Sequence, residues 1–268
     1  MPESYRVEAY NTSKHSENKI HDDAVARRFG FRGGLVPGID VYAYMTHQPL
    51  RLWGRAWLER GTLECRFAKP VYDGDEVIVF AENAGEELAL RVESDGRTCA
   101  TGNATLPGSV PPIPSLETFV AVAPVDGEAR PPADEATLAV GTWLGMRPLR
   151  LAPDYAADYL RASRETDPIY AVEGIAHPGL LLRTCNWALG HNVVLGPWMH
   201  VGSQVRHLGL ARVGDEISVR ARVSGNYEHK GHRFVELDAL VLANETIPIA
   251  RIAHVAIYRP RQVAQAAE

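Results

Sequence analysis

The chain repeats four landmarks in the same order, and this internal repeat limits the possible folds more than any other feature of the sequence. The first-half landmarks and their second-half counterparts are Tyr10 and Tyr159, Ile20 and Ile169, Pro37-Gly38 and Pro178-Gly179, and Gly74-Asp75-Glu76 and Gly214-Asp215-Glu216. Self-similar segments in one order indicate duplicated structural units. The sequence therefore predicts two copies of one domain.

Each half also contains four short segments rich in β-branched and aromatic residues, separated by turns that carry Gly or Asp. These segments are 62–67, 76–82, 87–93 and 98–106 in the first half, and 201–208, 216–223, 233–242 and 247–258 in the second. The pattern predicts an antiparallel meander in each half. Between the halves, several prolines without a sustained apolar period predict a linker. We therefore divide the chain into a first half (1–107), a linker (108–137), a second half (138–262) and a tail (263–268).

One strongly apolar helix is predicted ahead of each meander. The first follows Pro37-Gly38 and the second follows Pro178-Gly179. A helix that is apolar on most sides must be covered, and a curved antiparallel sheet is the available cover. The predicted fold is α+β, with two sheet-wrapped helices. Joining the two sheets edge to edge, with the helices side by side, would remove exposed strand edges.

The composition narrows the class of protein. Hydrophobic residues make up 46% of the chain, and the formal net charge is −5. No run approaches the roughly 18 to 20 apolar residues that a membrane helix requires. The acidic balance argues against a broad nucleic-acid surface, and the N-terminus lacks the pattern of a secretory signal. We therefore expect a cytoplasmic protein that binds neither membrane nor nucleic acid.

Motifs for cofactors or metals are not recognisable in the sequence. There is no Gly-x-Gly-x-x-Gly motif between a strand and a helix and no Walker-type loop, so no nucleotide cofactor is predicted. His229 and His232 flank a predicted hairpin turn without a third ligand at a suitable spacing, so no metal is predicted. His200, His207 and His254 alternate with apolar residues along strands and are predicted to be core or interface groups.

The segments around the repeated landmarks resemble the MaoC-type (R)-specific enoyl-thioester hydratases and dehydratases. The resemblance is carried by Glu17 to Asp22 and Phe29 to Gly38 in the first half, and by Tyr159 to Gly179 in the second. It implies a hotdog fold, in the double form in which two fused halves imitate a homodimer. It also implies an acyl thioester of coenzyme A or acyl carrier protein as the substrate, no cofactor, and a possible homo-oligomer of such pseudo-dimers.

The family's chemistry uses a carboxylate and an imidazole five positions apart, because both must contact one water. A backbone N–H near the start of the central helix polarises the thioester carbonyl. Neither half of this chain holds the intact pair. In the first half His21 matches the family's histidine, but Ser16 takes the carboxylate position and Glu17 is displaced by one residue. In the second half Glu165 takes the carboxylate position, but Tyr170 takes that of the histidine.

Three explanations remain open. Each half could contribute one group to a composite site, although the two overhanging loops of a fused pair are normally well separated. Glu165 could instead work with His177, which directly precedes Pro178-Gly179, while Tyr170 serves as a hydrogen-bond donor or acid. Hydration chemistry could also be lost and the acyl pocket kept. We favour the second explanation, which makes the second half the reaction centre and His21 the mark of a vestigial or secondary pocket.

Further residues are candidates for binding the substrate. Ser16 and Glu17 lie on the first overhang, and Gly34 and Gly179 lie at the helix entries. Arg27 and Arg32 could hold the phosphates of the carrier. Two other functions stay open: a catalytically silent protein that binds an acyl thioester or another hydrophobic molecule, and a thioesterase. A thioesterase would need a carboxylate on the central helix, and Asp40 is suited to that role.

Overall fold

The computed structural model describes residues 4–261, so residue 262 and the expected tail 263–268 lie outside the described residues. The helices are α1 (Asp23–Arg28), α2 (Gly38–Trp53), α3 (Arg55–Arg60), α4 (Pro153–Ala162), α5 (Pro168–Glu173) and α6 (Pro178–Gly190). The strands are β1 (Tyr5–Glu8), β2 (Thr62–Phe67), β3 (Glu76–Ala84), β4 (Glu87–Ser94), β5 (Arg97–Thr105), β6 (Trp143–Leu144), β7 (Leu149–Arg150), β8 (Met199–His207), β9 (Glu216–His229), β10 (His232–Ala243) and β11 (Ile247–Arg259). Within residues 4–261, no helix is long and apolar enough to cross a membrane.

The strands form one continuous antiparallel sheet in the order β1-β3-β4-β5-β2-β8-β11-β10-β9-β6, and β7 also pairs with β9. The seam between the halves is the pairing of β2 with β8, which runs from Thr62 opposite Arg206 to Arg66 opposite Gly202. Each half thus contributes its own meander, and the two sheets join edge to edge as the sequence predicts.

Alternating residues explain why the meander strands form. Along β9, Ile217, Val219, Ala221 and Val223 are buried, while the residues between them are more exposed. A period of two places one set of side chains on the core face of a sheet. The turn into β10 contains Lys230 and Gly231, both with positive φ, which a tight hairpin requires.

The two central helices pack against each other beneath the sheet. α2 is buried from Ile39 to Leu50, and α6 is buried over most of its length. Gly179 allows close packing here, because a Cβ added to it would lie 3.0 Å from the Cβ of Ala43 on α2. The two helix starts are therefore held in a fixed relation to one another.

The segment between the halves and the region before α6 are both more ordered than the sequence pattern indicates. The segment 108–137 is anchored, because Phe119 packs with Leu208, Leu240 and Leu242 on the outer face of the sheet. Helices α4 and α5 precede α6 in the second half, and each begins at a proline. Proline is pre-organised for the first position of a helix. The division of the chain into two halves and a linker remains our proposal.

Candidate functional site

Glu165, His47, His177 and Tyr170 form a cluster at the start of α6, which we call the second-half cluster. Its centre is the carboxylate of Glu165, which lies between the two histidines. Its Oε1 accepts a hydrogen bond from Nδ1 of His47 at 2.9 Å, and its Oε2 lies 3.6 Å from Nε2 of His177. Oε1 also accepts from the backbone N–H groups of Thr166 and Asp167. The Glu165 side chain is only 2% exposed. The carboxylate is therefore buried and already saturated with partners from both halves of the chain.

His177 closes this cluster and caps α6 at the same time. Its Nδ1 accepts a hydrogen bond from the N–H of Gly179 at 3.0 Å, so Nε2 carries the proton that faces Glu165. The ring of Tyr170 lies 4.8 Å from the ring of His177, and Tyr5 stacks on His47. Because the Gly179 amide is used by the cap, it does not point freely at a ligand.

Opposing effects act on the pKa of Glu165. Burial raises the pKa of this carboxyl, but the nearby His177, the hydrogen bond from His47 and the backbone donor of Asp167 together outweigh burial and hold the pKa well below the ordinary value. Burial also raises the pKa of Tyr170 well above its ordinary value. The structure thus brings Glu165, Tyr170 and His177 together within a densely packed part of the core.

His21 occupies the corresponding overhang of the first half. Its Nδ1 donates to the carbonyl of Leu35 at 2.7 Å, and its Nε2 accepts from the side-chain amide of Asn18 at 3.2 Å. Asn18 is held in turn by both backbone groups of Trp198 in the second half. A side chain at Gly34 would clash with the carbonyl oxygen of His21, so this glycine allows the overhang to close over the helix entry.

Burial lowers the pKa of His21 to about 4, although its hydrogen bond to the Leu35 carbonyl acts in the opposite direction. The imidazole is therefore neutral at pH 7. A neutral imidazole is not a ready proton donor, and its unprotonated Nε2 can accept a proton or hold a water only where that group replaces or shares the hydrogen bond from Asn18.

His21 borders three cavities, and two of them are also lined by Asn18, Asn186 and Trp198. The apolar cavity, of about 500 Å³, has among its walls Val36, Gly38, Val41, Phe67, Met199 and Ile257. The arginine cavity, of about 460 Å³, has among its walls Thr12, Ser16, Arg130, Arg147, Arg183 and Trp187. The first suits a hydrocarbon chain and the second suits an anionic or polar group.

The start of α2 opens on the apolar cavity. No side chain caps this helix at Pro37, whereas His177 caps α6 at the corresponding position. The first N–H groups of a helix have no partner within the helix. Gly38 lines the cavity, so the positive end of the α2 dipole faces the same space as His21.

The remaining predicted binding residues are distributed between two regions. Ser16 and Glu17 line the arginine cavity, where Arg130 donates hydrogen bonds to the exposed carboxylate of Glu17 and lowers its pKa. Arg27 and Arg32 lie with Gly34 along the third cavity that His21 borders, a depression of about 460 Å³. Arg32 is paired there with Asp75, and Arg27 donates to the Arg32 carbonyl.

Asp40, the carboxylate considered for a thioesterase, is completely buried. Its Oδ1 accepts from Arg183 at 3.0 Å, and its Oδ2 accepts from the hydroxyl of Thr12 at 2.6 Å. Burial raises the pKa of Asp40, and Arg183 opposes that effect. Arg183 was not anticipated from the sequence, although a lone arginine within an otherwise apolar helix was a signal. No group of three or more His, Cys, Asp or Glu that could hold a metal occurs in the part of the chain that the structure describes.

No protein-family model matches the chain, and no curated protein matches its sequence significantly. Solved structures are similar over nearly the whole length. A protein from Chloroflexus aurantiacus, whose name suggests a MaoC-domain dehydratase, is 9% identical with a TM-score of 0.58, over 96% of this chain and 95% of that one. A conserved protein from Mycobacterium tuberculosis with a double hotdog fold is 15% identical with a TM-score of 0.59, over 96% of both chains.

A protein from Novosphingobium aromaticivorans, whose name suggests a thioesterase, is 12% identical with a TM-score of 0.53, again over 96% of both chains. At these identities the similarity establishes the fold, and one fold can host several functions. The chain has a double hotdog fold, and MaoC-like dehydratases are among its structural neighbours.

Proposed function

We propose that this protein hydrates 2-enoyl thioesters, or dehydrates 3-hydroxyacyl thioesters in reverse, at the first-half site around His21. One observation carries the proposal: the imidazole of His21 and the uncapped start of α2 line the same apolar cavity. These are the two elements that addition of water to an enoyl thioester requires, namely a group that contacts the water and a donor for the developing oxyanion.

The two cavities suggest how the substrate would lie. The acyl chain would occupy the apolar cavity, with the thioester carbonyl facing the N–H groups at Gly38. The carrier portion of the bound substrate would extend through the arginine cavity to the surface. Arg147 is exposed there, and Arg130 is already paired with Glu17. Coenzyme A and acyl carrier protein are both anionic carriers, so the arginines suit either one.

The proposal moves the reaction centre from the second half, where the sequence suggested it, to the first. Glu165 has two histidines and two backbone donors as partners, and Gly179 has given its N–H to His177. A substrate would have to displace these contacts before it could reach the carboxylate. We therefore assign the second-half cluster a structural role, in which it ties the start of α6 to α2.

A catalytically silent binding protein is the second candidate, and a specific observation favours it. Ser16 stands where the family has a carboxylate, and both ring nitrogens of His21 already have hydrogen-bond partners. A thioesterase has less support, because both carboxylate oxygens of Asp40 already accept hydrogen bonds from protein groups and are not free to activate a water.

The test measures three signals on the same protein with a series of 2-enoyl-CoA thioesters of increasing chain length. Hydration removes the conjugated enoyl absorbance, hydrolysis releases free thiol, and calorimetry with a saturated acyl-CoA reports binding alone. We expect loss of absorbance without thiol release, and we expect His21→Ala to abolish it while His15→Ala, on the exposed surface, has no effect. Binding of the saturated thioester without turnover would favour the silent protein, and absence of all three signals would reject the proposal.

A further inference from the structure

His200 lines the same apolar cavity as His21, on the wall that the second half contributes. It lies at the beginning of β8, two residues after Trp198, whose backbone holds Asn18 and thereby the His21 overhang. A Cβ added to Gly38 would lie 3.0 Å from Nδ1 of His200. This ring nitrogen therefore lies next to the helix start where the thioester carbonyl is proposed to bind.

The hydrogen bonds of His200 decide which of its nitrogens carries the proton. Its Nε2 lies 3.1 Å from the carbonyl of Gly202 and 2.8 Å from the hydroxyl of Ser203. A carbonyl oxygen only accepts, so Nε2 is the N–H donor and Nδ1 is left with its lone pair. Among the described residues, Nδ1 has no hydrogen-bond partner although the atom is buried.

Behind His200 lies a short chain of polar groups in the sheet. Ser203 lies 3.0 Å from Nδ1 of His254, and the rings of His200 and His254 stack with centroids 4.3 Å apart. Phe67 packs its ring against His200 from β2. These contacts fix the orientation of the imidazole, and a buried polar group without a partner is costly enough to need an explanation.

We infer that His200 is a catalytic residue of the proposed reaction, and that its Nδ1 takes the place of the carboxylate that Ser16 does not supply. In hydration, His21 holds the water, and Nδ1 of His200 removes a proton from that water while the water oxygen bonds to Cβ. The electron pair of the double bond moves toward the thioester carbonyl, which the N–H groups of α2 stabilise. His200 then returns the proton to Cα, so one water is added and the imidazole ends neutral. Dehydration is the reverse.

This inference rests on the proposed function, and the experiment separates the two. The variants His200→Asn and Ser203→Ala are compared with His15→Asn, an identical change at an exposed position. Turnover is followed by enoyl absorbance with 2-enoyl-CoA, binding by calorimetry with saturated acyl-CoA, and folding by thermal melting. We expect His200→Asn to lower kcat by about 10²-fold to 10⁴-fold with little change in binding. Ser203→Ala leaves His200 in place but removes one Nε2 partner, so it should lower kcat less.

The outcomes are distinct. If the unmodified protein turns over the thioester and folded His200→Asn is equally active, His200 is not the base and only this inference fails. If His200→Asn does not fold, unchanged turnover in Ser203→Ala overturns the inference, and reduced turnover with unchanged binding supports it. If the unmodified protein shows no turnover at any chain length, both the proposed function and the role of His200 are rejected.

Discussion

The two overhanging loops of this molecule occupy equivalent positions in a duplicated fold, yet they have opposite environments. In the second half, Glu165 is enclosed by His47 and His177, and the following helix is capped. In the first half, His21 borders three cavities and the following central helix has no side-chain cap. An ionisable residue on one of these loops therefore does not by itself locate an open site.

A second difference concerns what each loop contacts across the pseudo-dimer. The Glu165 loop reaches α2 through His47, and Tyr5 lies over that contact. The His21 loop reaches the second half through Asn18 and the backbone of Trp198. Each half therefore completes the loop region of the other. The first half supplies His47 to the buried Glu165 cluster, and the second half supplies Trp198 to the wall of the cavities at His21.

The largest expected effect tests whether the Glu165 cluster is structural. Glu165→Ala leaves His47 and His177 buried without their carboxylate, and loss of one partner of a buried pair typically costs about 3–5 kcal/mol. The equivalent change in the other half, Ser16→Ala, should alter the free energy of unfolding by less than about 0.5 kcal/mol. Denaturant unfolding of both variants measures the contrast. Equal small losses would contradict the structural role of Glu165.

The His21 loop and the Glu165 loop should affect the free energy of unfolding in different pH ranges. The pKa of His21 is lowered to about 4 in the folded state from 6.5, so the unfolded chain binds more protons between these values. Stability should therefore fall as the pH drops from 6.5 to 4, by up to about 3 kcal/mol from this group. Burial also lowers the pKa of His200 and of His254, so both groups add to the loss of stability at low pH.

For Glu165 the folded pKa is lowered from 4.5, so its stabilising effect is present above pH 4.5 and is lost as the pH falls below that value. Unfolding of His21→Asn and Glu165→Gln across pH 3 to 7 resolves the two windows. The His21 variant should lose less stability than the unmodified protein between pH 6.5 and 4. Identical pH profiles for the unmodified protein and His21→Asn would contradict the folded-state pKa assigned to His21.

The smallest expected effect distinguishes the two groups of arginines. If the carrier passes the arginine cavity, Arg147→Glu should raise KM for a 2-enoyl-CoA roughly twofold to fivefold, because exposed charge contacts are worth up to about 1 kcal/mol. The effect should decrease at high salt. Arg27→Glu is the matched reversal at the position that the sequence suggested, and it should leave KM unchanged. The opposite ranking would place the carrier along the depression near Gly34.

Most of the fold was predictable because it depends on local periodicity. The alternation along β9 and the apolar spacing after Pro37-Gly38 each identify one element without reference to the rest of the chain. Helices α4 and α5 were not predicted, because their prolines also fit the interpretation of a loop. The repeat made the pairing of the two sheets predictable, since a duplicated unit with open edges has an obvious partner.

The site was only partly predictable. The proximity of Glu165 and His177 follows from their positions before the same helix, and the sequence indicated it. The burial of that pair depends on His47, which is more than one hundred residues away in the chain and belongs to the other half. His200 was predicted to be a core or interface group, and only the tertiary contact with Gly38 brings its free nitrogen to a cavity.

The seam between β2 and β8 has a consequence for how the chain reaches its native state. The hairpins β3-β4 and β9-β10 join neighbouring segments, whereas Thr62 and Arg206 are separated by about half of the chain. Contacts of such high sequence separation form late, because loop closure must be completed before they stabilise anything. We expect a refolding intermediate in which both meanders are formed while β2 and β8 are still unpaired, and its exposed edges would be the part of the pathway most sensitive to protein concentration.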